Sequence, residues 1–238
     1  MNQRFFLATL LLFAFPVLVF AKQERSSLPI PDPEFKGKIG RTYEESKPDY
    51  PQPVKAPKGS PNVLIILLDD VGFGMCSPFG GSVPTPNMQE LATSGISYTR
   101  FHTTALCSPT RGALLAGRNH HTIGTGVIIE MGTGFPGYTG IIPRSTALVS
   151  QILRDNGYAT SMFGKWHNTP IDTLTPSSLK DQWPTGLGFN YFYGFIAGET
   201  SQWEPMLWEN TTPIPPPHVK NYEDYHLTEA MADKAIAW

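Results

Sequence analysis

Three short groups of reactive side chains stand out in this sequence: two adjacent carboxylates, a cysteine followed by an arginine, and a lysine close to a histidine. The carboxylates are Asp69 and Asp70, which directly follow an apolar run. Two neighbouring carboxylates repel each other and need a cation to offset that repulsion. Their hard oxygen atoms suit Ca²⁺ or Mg²⁺ better than zinc. A solvated acidic turn at the end of a strand is the alternative interpretation.

The cysteine and the arginine lie where a loop turns into a predicted helix. Pro109 suits the first position of that helix, and Gly117 suits a left-handed C-cap. Cys107 would then lie at a helix N-terminus, with Arg111 one turn further on, and this environment favours a thiolate or a bound anion. The alternatives are a small buried side chain, or a disulfide with Cys76, since the chain has 2 cysteines.

The lysine and the histidine follow a predicted strand. Residues two apart in an extended segment project to the same side, so Lys165 and His167 could hold an oxyanion together. The lysine would supply charge and the histidine would carry a proton. A surface lysine beside a hydrogen-bonded histidine is the alternative. The adjacent His120 and His121 are interpreted as structural, or as supporting a site without binding a metal themselves, because neighbouring residues do not share one face of a helix or strand.

The elements that must position these groups follow from apolar periodicity and from helix or strand breakers. The pattern predicts strands at 62–68, 96–101 and 158–163, and helices at about 86–94, 145–156 and 228–238. Thr85 and Ser145 are the expected N-caps of the first two helices, and Gly164 is expected to stop the third strand. Residues beyond 170 are predicted to form mostly loops. Strands that alternate with helices predict an α/β fold with a largely parallel sheet.

Composition and the N-terminus limit the possible partners. The 238 residues carry a formal net charge of −2, so the chain lacks the excess of positive charge that is typical of nucleic-acid-binding proteins. An apolar stretch at 5–20, after Arg4 and before Ala21, predicts a signal peptide over residues 1–21. The stretch is short for a membrane span, so we expect export to the periplasm or the medium and no stable membrane partner. The proline-rich residues 22–60 are predicted to form an extended arm.

Taken together and in this order, the three motifs resemble those of the sulfatases, and most closely those of bacterial arylsulfatases. The resemblance runs from about Pro61 to the end of the chain. It implies an alkaline-phosphatase-like α/β sandwich, in which helices flank a large mixed, mostly parallel sheet that is incomplete here. Residues 61–238 would be the N-terminal portion of the catalytic domain.

The resemblance also implies the chemistry. Cys107 matches the cysteine that a formylglycine-generating enzyme converts to Cα-formylglycine. The hydrated aldehyde, a gem-diol, would attack the sulfur of a small-molecule aryl sulfate and release the phenol. The second hydroxyl would then drive the release of inorganic sulfate.

The same resemblance assigns roles to the neighbouring residues. Asp69, Asp70 and the modified Cys107 would hold a Ca²⁺ ion, with Mg²⁺ as the weaker candidate. Arg111 would orient and stabilise the formylglycine. Lys165 would neutralise charge on the sulfuryl group, and His167 would hydrogen-bond the diol and assist its proton transfers.

Members of this family are considerably longer than this chain, and the resemblance places a second pair of metal ligands beyond residue 238. We therefore expect the isolated polypeptide to be inactive and poorly folded. Two other functions stay open at this point: a phosphonate or phosphate ester hydrolase of the same superfamily, and a non-catalytic secreted fragment that binds an anionic partner. Six aromatic residues could line an aryl pocket or belong to the core: Phe189, Tyr191, Phe192, Tyr193, Trp203 and Trp208.

Overall fold

The structure, a computed structural model, describes residues 34–175, 177–215 and 225–238. The predicted signal peptide at 1–21 lies outside these residues. The chain divides into two units, residues 1–52 and 53–238. In the described part of the first unit, the backbones of Lys38 and Lys47 form an isolated antiparallel bridge through hydrogen bonds of 2.9 and 2.8 Å. None of the described residues forms a helix that is long and apolar enough to cross a membrane.

The second unit contains four α-helices among its described residues. They are α1 (Pro86–Ser94), α2 (Cys107–Ala116), α3 (Val149–Asp155) and α4 (Leu227–Ala237). Short 3₁₀ helices lie at Ser77–Phe79, His120–Ile123, Ile129–Met131 and Ile171–Thr173. The predicted helices at 86–94 and 228–238 are confirmed. The predicted helix at 145–156 is shorter at its beginning than expected.

A mixed sheet, with four strands among the described residues, organises this unit. In spatial order the strands are β1 (Ser161–Lys165), β2 (Tyr191–Phe195), β3 (Leu207–Glu209) and β4 (Thr212–Ile214). β1 and β2 are parallel, whereas β3 pairs antiparallel with both of its neighbours. The α/β class with a mixed sheet is therefore confirmed, but among the described strands one of the three pairings is parallel, fewer than the largely parallel sheet that was predicted. The last three strands lie in the region that the sequence assigned mostly to loops, because each is short and rich in aromatic residues or proline.

Two hydrophobic clusters cover the sheet. The first joins buried residues of the loops and of β2, namely Ile142, Leu148, Trp166, Trp183, Leu187, Phe192 and Ile196. The second joins Tyr193, Phe195, Leu207 and Leu227 and therefore packs α4 onto the sheet. Five of the six aromatic residues considered for an aryl pocket belong to these clusters or pack against them. The exception is Trp203, whose ring packs edge-on against His226.

Two predicted strands are wrong. Residues 62–68 and 96–101 carry no strand pairing, and their apolar side chains are exposed, with Leu64 82% and Ile96 83% accessible. A strand of a parallel sheet needs hydrogen-bonded neighbours on its edges. The sheet built from the described residues offers these segments no partner, so the apolar pattern is present without the pairing that would bury it.

The predicted boundary residues also need correction. Thr85 occupies the N-cap position of α1 as predicted, but its hydroxyl caps no N–H of the helix: it lies 3.0 Å from the Ser77 hydroxyl and accepts a hydrogen bond from the Ser77 N–H. Ser145 lies in a turn that the Thr146 N–H closes by donating to the Pro143 carbonyl, and α3 begins only after Leu148. The third predicted strand does not stop at a glycine, since Gly164 lies inside β1 and pairs with Gly194.

Close approach of β1 and β2 at this glycine pair yields a testable prediction. A Cβ at residue 194 would collide with the backbone carbonyl of Gly164. We expect Gly194→Ala to destabilise the protein by about 1–3 kcal/mol, the usual cost of overpacking. Gly134→Ala is the matched control, because a Cβ added at residue 134 would meet no heavy atom within 4 Å. Thermal unfolding measures both, and equal shifts of the midpoint in the two variants would contradict the packing described for β1 and β2.

Candidate active site

The N-terminal turn of α2 carries the cysteine. Helix α2 begins at Cys107 itself, after Leu106 in an extended conformation, and ends at Gly117 in the left-handed region, as predicted. Pro109 is thus the third helical residue rather than the first, a correction of two positions. Its missing N–H costs nothing there, since the first-turn donors of a helix have no partner within the helix. Cys107 is partly exposed, and Pro109 is buried behind it.

The two adjacent carboxylates lie beside this turn. One ligating atom from each of Asp69, Asp70 and Cys107 lies within 4.8 Å of the other two. Asp70 has a φ of 54°, a left-handed conformation that is uncommon outside glycine. Backbone of this kind costs on the order of 1–3 kcal/mol and is concentrated at functional sites. The predicted metal ligands therefore meet in space, although the strand expected before them is absent.

Asp69 connects three distant parts of the chain. Its Oδ1 accepts a hydrogen bond of 2.9 Å from Arg111 Nη2, and its Oδ2 accepts one of 2.7 Å from Lys165 Nζ. Arg111 Nη1 also donates to the Lys165 carbonyl at 2.6 Å. Both cationic side chains are less than one tenth exposed. Partial burial raises the pKa of Asp69, but the hydrogen bonds and charges of Lys165 and Arg111 outweigh it and hold the pKa below its ordinary value.

His167 has a different carboxylate partner. Its Nε2 lies 3.0 and 2.9 Å from the two carboxylate oxygens of Glu130, while Lys165 contacts Asp69. The expectation that Lys165 and His167 share one side assumed extended backbone, but His167 has a φ of 56°. Burial lowers the pKa of His167; Glu130 opposes this, whereas Lys165 and Arg111 reinforce it, so the pKa lies below its ordinary value.

Three polar atoms near the beginning of α2 are buried and have no hydrogen-bond partner among the described residues: Ser108 Oγ, Arg111 Nε and His167 Nδ1. Buried polar atoms in native proteins are nearly always paired, so each one calls for an explanation. Arg111 Nε–H is a donor, whereas His167 Nδ1 can accept when the ring is neutral. Each of these three side chains therefore keeps hydrogen-bonding capacity that the described residues do not use.

Sequence reasoning missed two residues of the site. Glu130 lies in a glycine-rich stretch without periodicity, and nothing in its neighbourhood indicates a partner for a histidine 37 residues away. Asn168 directly follows the lysine–histidine motif and is fully buried. With its amide nitrogen turned toward two carbonyl groups, Asn168 donates to Ser108 at 3.1 Å and to His167 at 3.3 Å.

The remaining candidates lie apart from this arrangement. Cys76 and Cys107 are both free, so the alternative of a disulfide between them is wrong. The rings of His120 and His121 lie 4.2 Å apart, and His121 Nε2 is 3.1 Å from the Tyr138 hydroxyl. Neither histidine belongs to the group formed by the two aspartates and Cys107.

Comparisons with known proteins show the family to which this chain belongs. The sulfatase family model matches residues 61–238. An uncharacterised sulfatase of Schizosaccharomyces pombe is 36% identical over 201 residues, which cover 76% of this chain and 35% of that protein. An arylsulfatase of Klebsiella aerogenes is 30% identical, over 75% of this chain and 39% of that protein. Human steryl-sulfatase is 34% identical over 56% of this chain and 23% of its own length.

Among solved structures, the crystal structure of Ps i-CgsB matches with a TM-score of 0.58 and 23% identity, over 71% of this chain and 39% of that chain. This likeness shows the fold, and it supports the predicted alkaline-phosphatase-like class. The chain spans about a third of the length of the curated relatives it matches. Because the family model covers three quarters of the chain, this protein belongs to the sulfatase family.

Proposed function

We propose that this chain is part of an enzyme that hydrolyses sulfate esters, with aryl sulfates as the substrate class. The observation that carries the proposal is the meeting of Asp69, Asp70 and Cys107 within 4.8 Å, with Arg111 and Lys165 bonded to Asp69. The arylsulfatases and the steryl-sulfatase among the relatives support the reaction class. Because the chain spans only part of those relatives, turnover is assigned to a polypeptide that contains this chain together with the ligands implied beyond residue 238.

The donor set fits a hard divalent cation. Asp69 is held ionised by its two cationic neighbours, Asp70 makes no ion pair with another described residue, and both carboxylates are exposed enough for an ion to reach them. Carboxylate oxygens favour Ca²⁺, with Mg²⁺ as the weaker candidate. A bound ion would polarise the sulfate oxygens. Each oxygen of Asp69 retains a lone pair when it accepts one hydrogen bond, so its ion pairs leave it able to act as a ligand.

The chain's own residues would divide the remaining work. Cys107, oxidised by a formylglycine-generating enzyme and hydrated, would supply the hydroxyl nucleophile. Lys165 would place positive charge beside the sulfuryl group, where negative charge develops. Arg111 would hold the Lys165 carbonyl and the Asp69 carboxylate in place. His167 would accept a hydrogen bond from the nucleophile's hydroxyl. Export through the N-terminal segment is part of the same proposal.

Conversion of Cys107 is the first prediction. When the chain is co-expressed with a formylglycine-generating enzyme, mass spectrometry of the peptide that contains Cys107 should show an aldehyde in place of the thiol. Cys76 is an internal control, because it lacks the motif and should keep its sulfur. A Cys107 thiol that persists, in a host that modifies a control sulfatase, would contradict the proposed nucleophile.

Substitutions of the two aspartates should have different effects on stability but the same effect on metal binding. Asp69→Asn removes the carboxylate charge shared by Lys165 and Arg111, so we expect a loss of about 1–3 kcal/mol in the free energy of unfolding in chelator. Asp70→Asn should leave that free energy unchanged. Both variants should weaken Ca²⁺ binding in isothermal titration calorimetry. Full Ca²⁺ affinity in Asp70→Asn would exclude it as a ligand.

The contribution of Asp69 should also depend on pH. A carboxyl whose folded-state pKa is lowered stabilises the protein fully above its unfolded pKa, about 3.9, and that stabilisation is lost as the pH falls through the folded value. The difference in unfolding free energy between the unmodified protein and Asp69→Asn should therefore be largest near neutral pH and shrink in acid. Denaturant titrations across this range measure it, and a difference that does not change with pH would contradict the ion pairs.

Substrate class is tested by turnover. The extended polypeptide should hydrolyse para-nitrophenyl sulfate faster than aryl phosphonates, whereas residues 22–238 alone should show no turnover of either. The Cys107→Ala variant of the extended polypeptide, which lacks the proposed nucleophile, is the negative control. Faster turnover of the phosphonate would replace the proposal with the related hydrolase function, and turnover by residues 22–238 would overturn the expectation that this chain is incomplete as a catalyst.

A further inference from the structure

The environment of His167 contains an asymmetry that the proposed function does not use. The residue is 3% exposed, and its Nε2 faces both carboxylate oxygens of Glu130 at 3.0 and 2.9 Å. Its Nδ1 is buried and has no partner among the described residues. One ring nitrogen is therefore held by a charged acceptor, and the other is left open on the inside of the protein.

This asymmetry determines where the ring proton lies. Burial and the nearby cations Lys165 and Arg111 lower the pKa of His167 despite the opposing charge of Glu130, so the ring is neutral at neutral pH. A neutral imidazole donates through one nitrogen and accepts through the other, whereas a carboxylate only accepts. The proton must therefore be on Nε2, and Nδ1 must present a lone pair.

The partners of the ring are fixed in place. Glu130 lies in the 3₁₀ helix Ile129–Met131, whose first residue is buried, and the surrounding loop is closed by a 2.8 Å hydrogen bond from the Gly140 N–H to the Gly124 carbonyl. Gly198 packs against the ring, since a Cβ there would lie 2.8 Å from both Cε1 and Nε2. A side chain at residue 198 would therefore displace the ring.

A separate contact ties His167 to the turn that carries Cys107. The buried Asn168 amide bridges the carbonyl of His167 and the carbonyl of Ser108, which is the residue next to Cys107. Positive φ at His167 lets the chain turn from β1 toward this helix end. The open Nδ1 thus belongs to a residue anchored at the N-terminal turn of α2.

We propose that Glu130 is a positioning residue for the reaction: it fixes His167 as the tautomer protonated on Nε2, so that Nδ1 accepts a hydrogen bond from a hydroxyl group formed on Cys107. The tautomer follows from the neutral state of the ring together with its contacts, whereas the hydroxyl partner rests on the proposed function. In many functional sites, a carboxylate or carbonyl that accepts a hydrogen bond from one ring nitrogen of a histidine fixes the tautomer and orients the other nitrogen. Glu130 itself acts only through His167 and contacts neither substrate nor metal.

Long-range proton–nitrogen NMR of the full chain labelled with ¹⁵N-histidine tests the tautomer without any turnover. The signals of His167 are identified by their loss in His167→Gln. We expect a protonated Nε2 and an unprotonated Nδ1 near neutral pH. A protonated Nδ1, or a cationic ring, would overturn the proposal at once.

Two substitutions of Glu130 sharpen the test. Glu130→Ala should replace the single tautomer by a mixture, and Glu130→Gln should lower the pKa of His167 further because it removes the charge that opposes the lowering. The side chain of Glu130 is 39% exposed, so both variants should fold. Glu90→Gln, on the exposed face of α1, is the matched control and should change neither quantity. An unchanged tautomer in Glu130→Ala would show that Glu130 does not set it.

Turnover then tests the role in the reaction. In the extended, converted polypeptide, Glu130→Gln should lower kcat on the order of tenfold with little change in KM, and should move the acid limb of the pH profile to lower pH. A purely structural role would leave the acid limb where it is. If the tautomer is as described but neither protein turns over sulfate, the proposed function fails while the assignment of Glu130 to His167 stands.

Discussion

One carboxylate organises the site. Asp69 lies between Arg111 and Lys165, which are 42 and 96 residues away along the chain, and it accepts one hydrogen bond from each. The two cations are almost completely buried, and a buried charge without a partner is far more costly than an exposed one. Their requirement for a counter-charge fixes the segment around Asp69 against α2 and β1. Asp70 and Cys107 are brought together as a consequence.

The same constraint explains how a poorly packed segment can hold a defined position. Residues 62–68 are exposed and unpaired, so neither a sheet nor a core fixes the chain before Asp69. The described contacts that anchor it are the ion pairs with Arg111 and Lys165, together with the link from Arg111 to the Lys165 carbonyl. Two residues after the end of β1, His167 contacts a second carboxylate, Glu130. The site thus contains three cationic or basic groups: Arg111 and Lys165 share the carboxylate of Asp69, and His167 pairs with Glu130.

The sequence predicts the chemistry of this site better than its architecture. Asp69, Asp70, Cys107, Arg111 and Lys165 were identified from residue type and spacing, and the structure brings all five together. Strands at 62–68 and 96–101 were predicted from apolar content, but strand formation depends on neighbours that local sequence does not specify. The short strands β3 and β4 carry too few residues for a periodic signal.

Contacts between residues that are far apart in the sequence could not be predicted from local sequence patterns either. Glu130 and Asn168 act through a histidine ring and through backbone carbonyls, and neither residue type nor spacing marks them. The positive φ of Asp70 and His167 could not be predicted either, because aspartate and histidine adopt the left-handed region in a minority of cases and the local sequence does not mark which ones. Both lie in the motifs that the sequence did identify.

The most direct test of the central claim is a crystal structure of the extended polypeptide that contains this chain, soaked in CaCl₂. We predict one calcium ion at about 2.3–2.6 Å from carboxylate oxygens of Asp69 and Asp70, a distance typical of such ligands, with Asp69 still bonded to Arg111 and Lys165. Calcium bound elsewhere, or an Asp69 carboxylate separated from both cations, would contradict the claim that this shared carboxylate assembles the site.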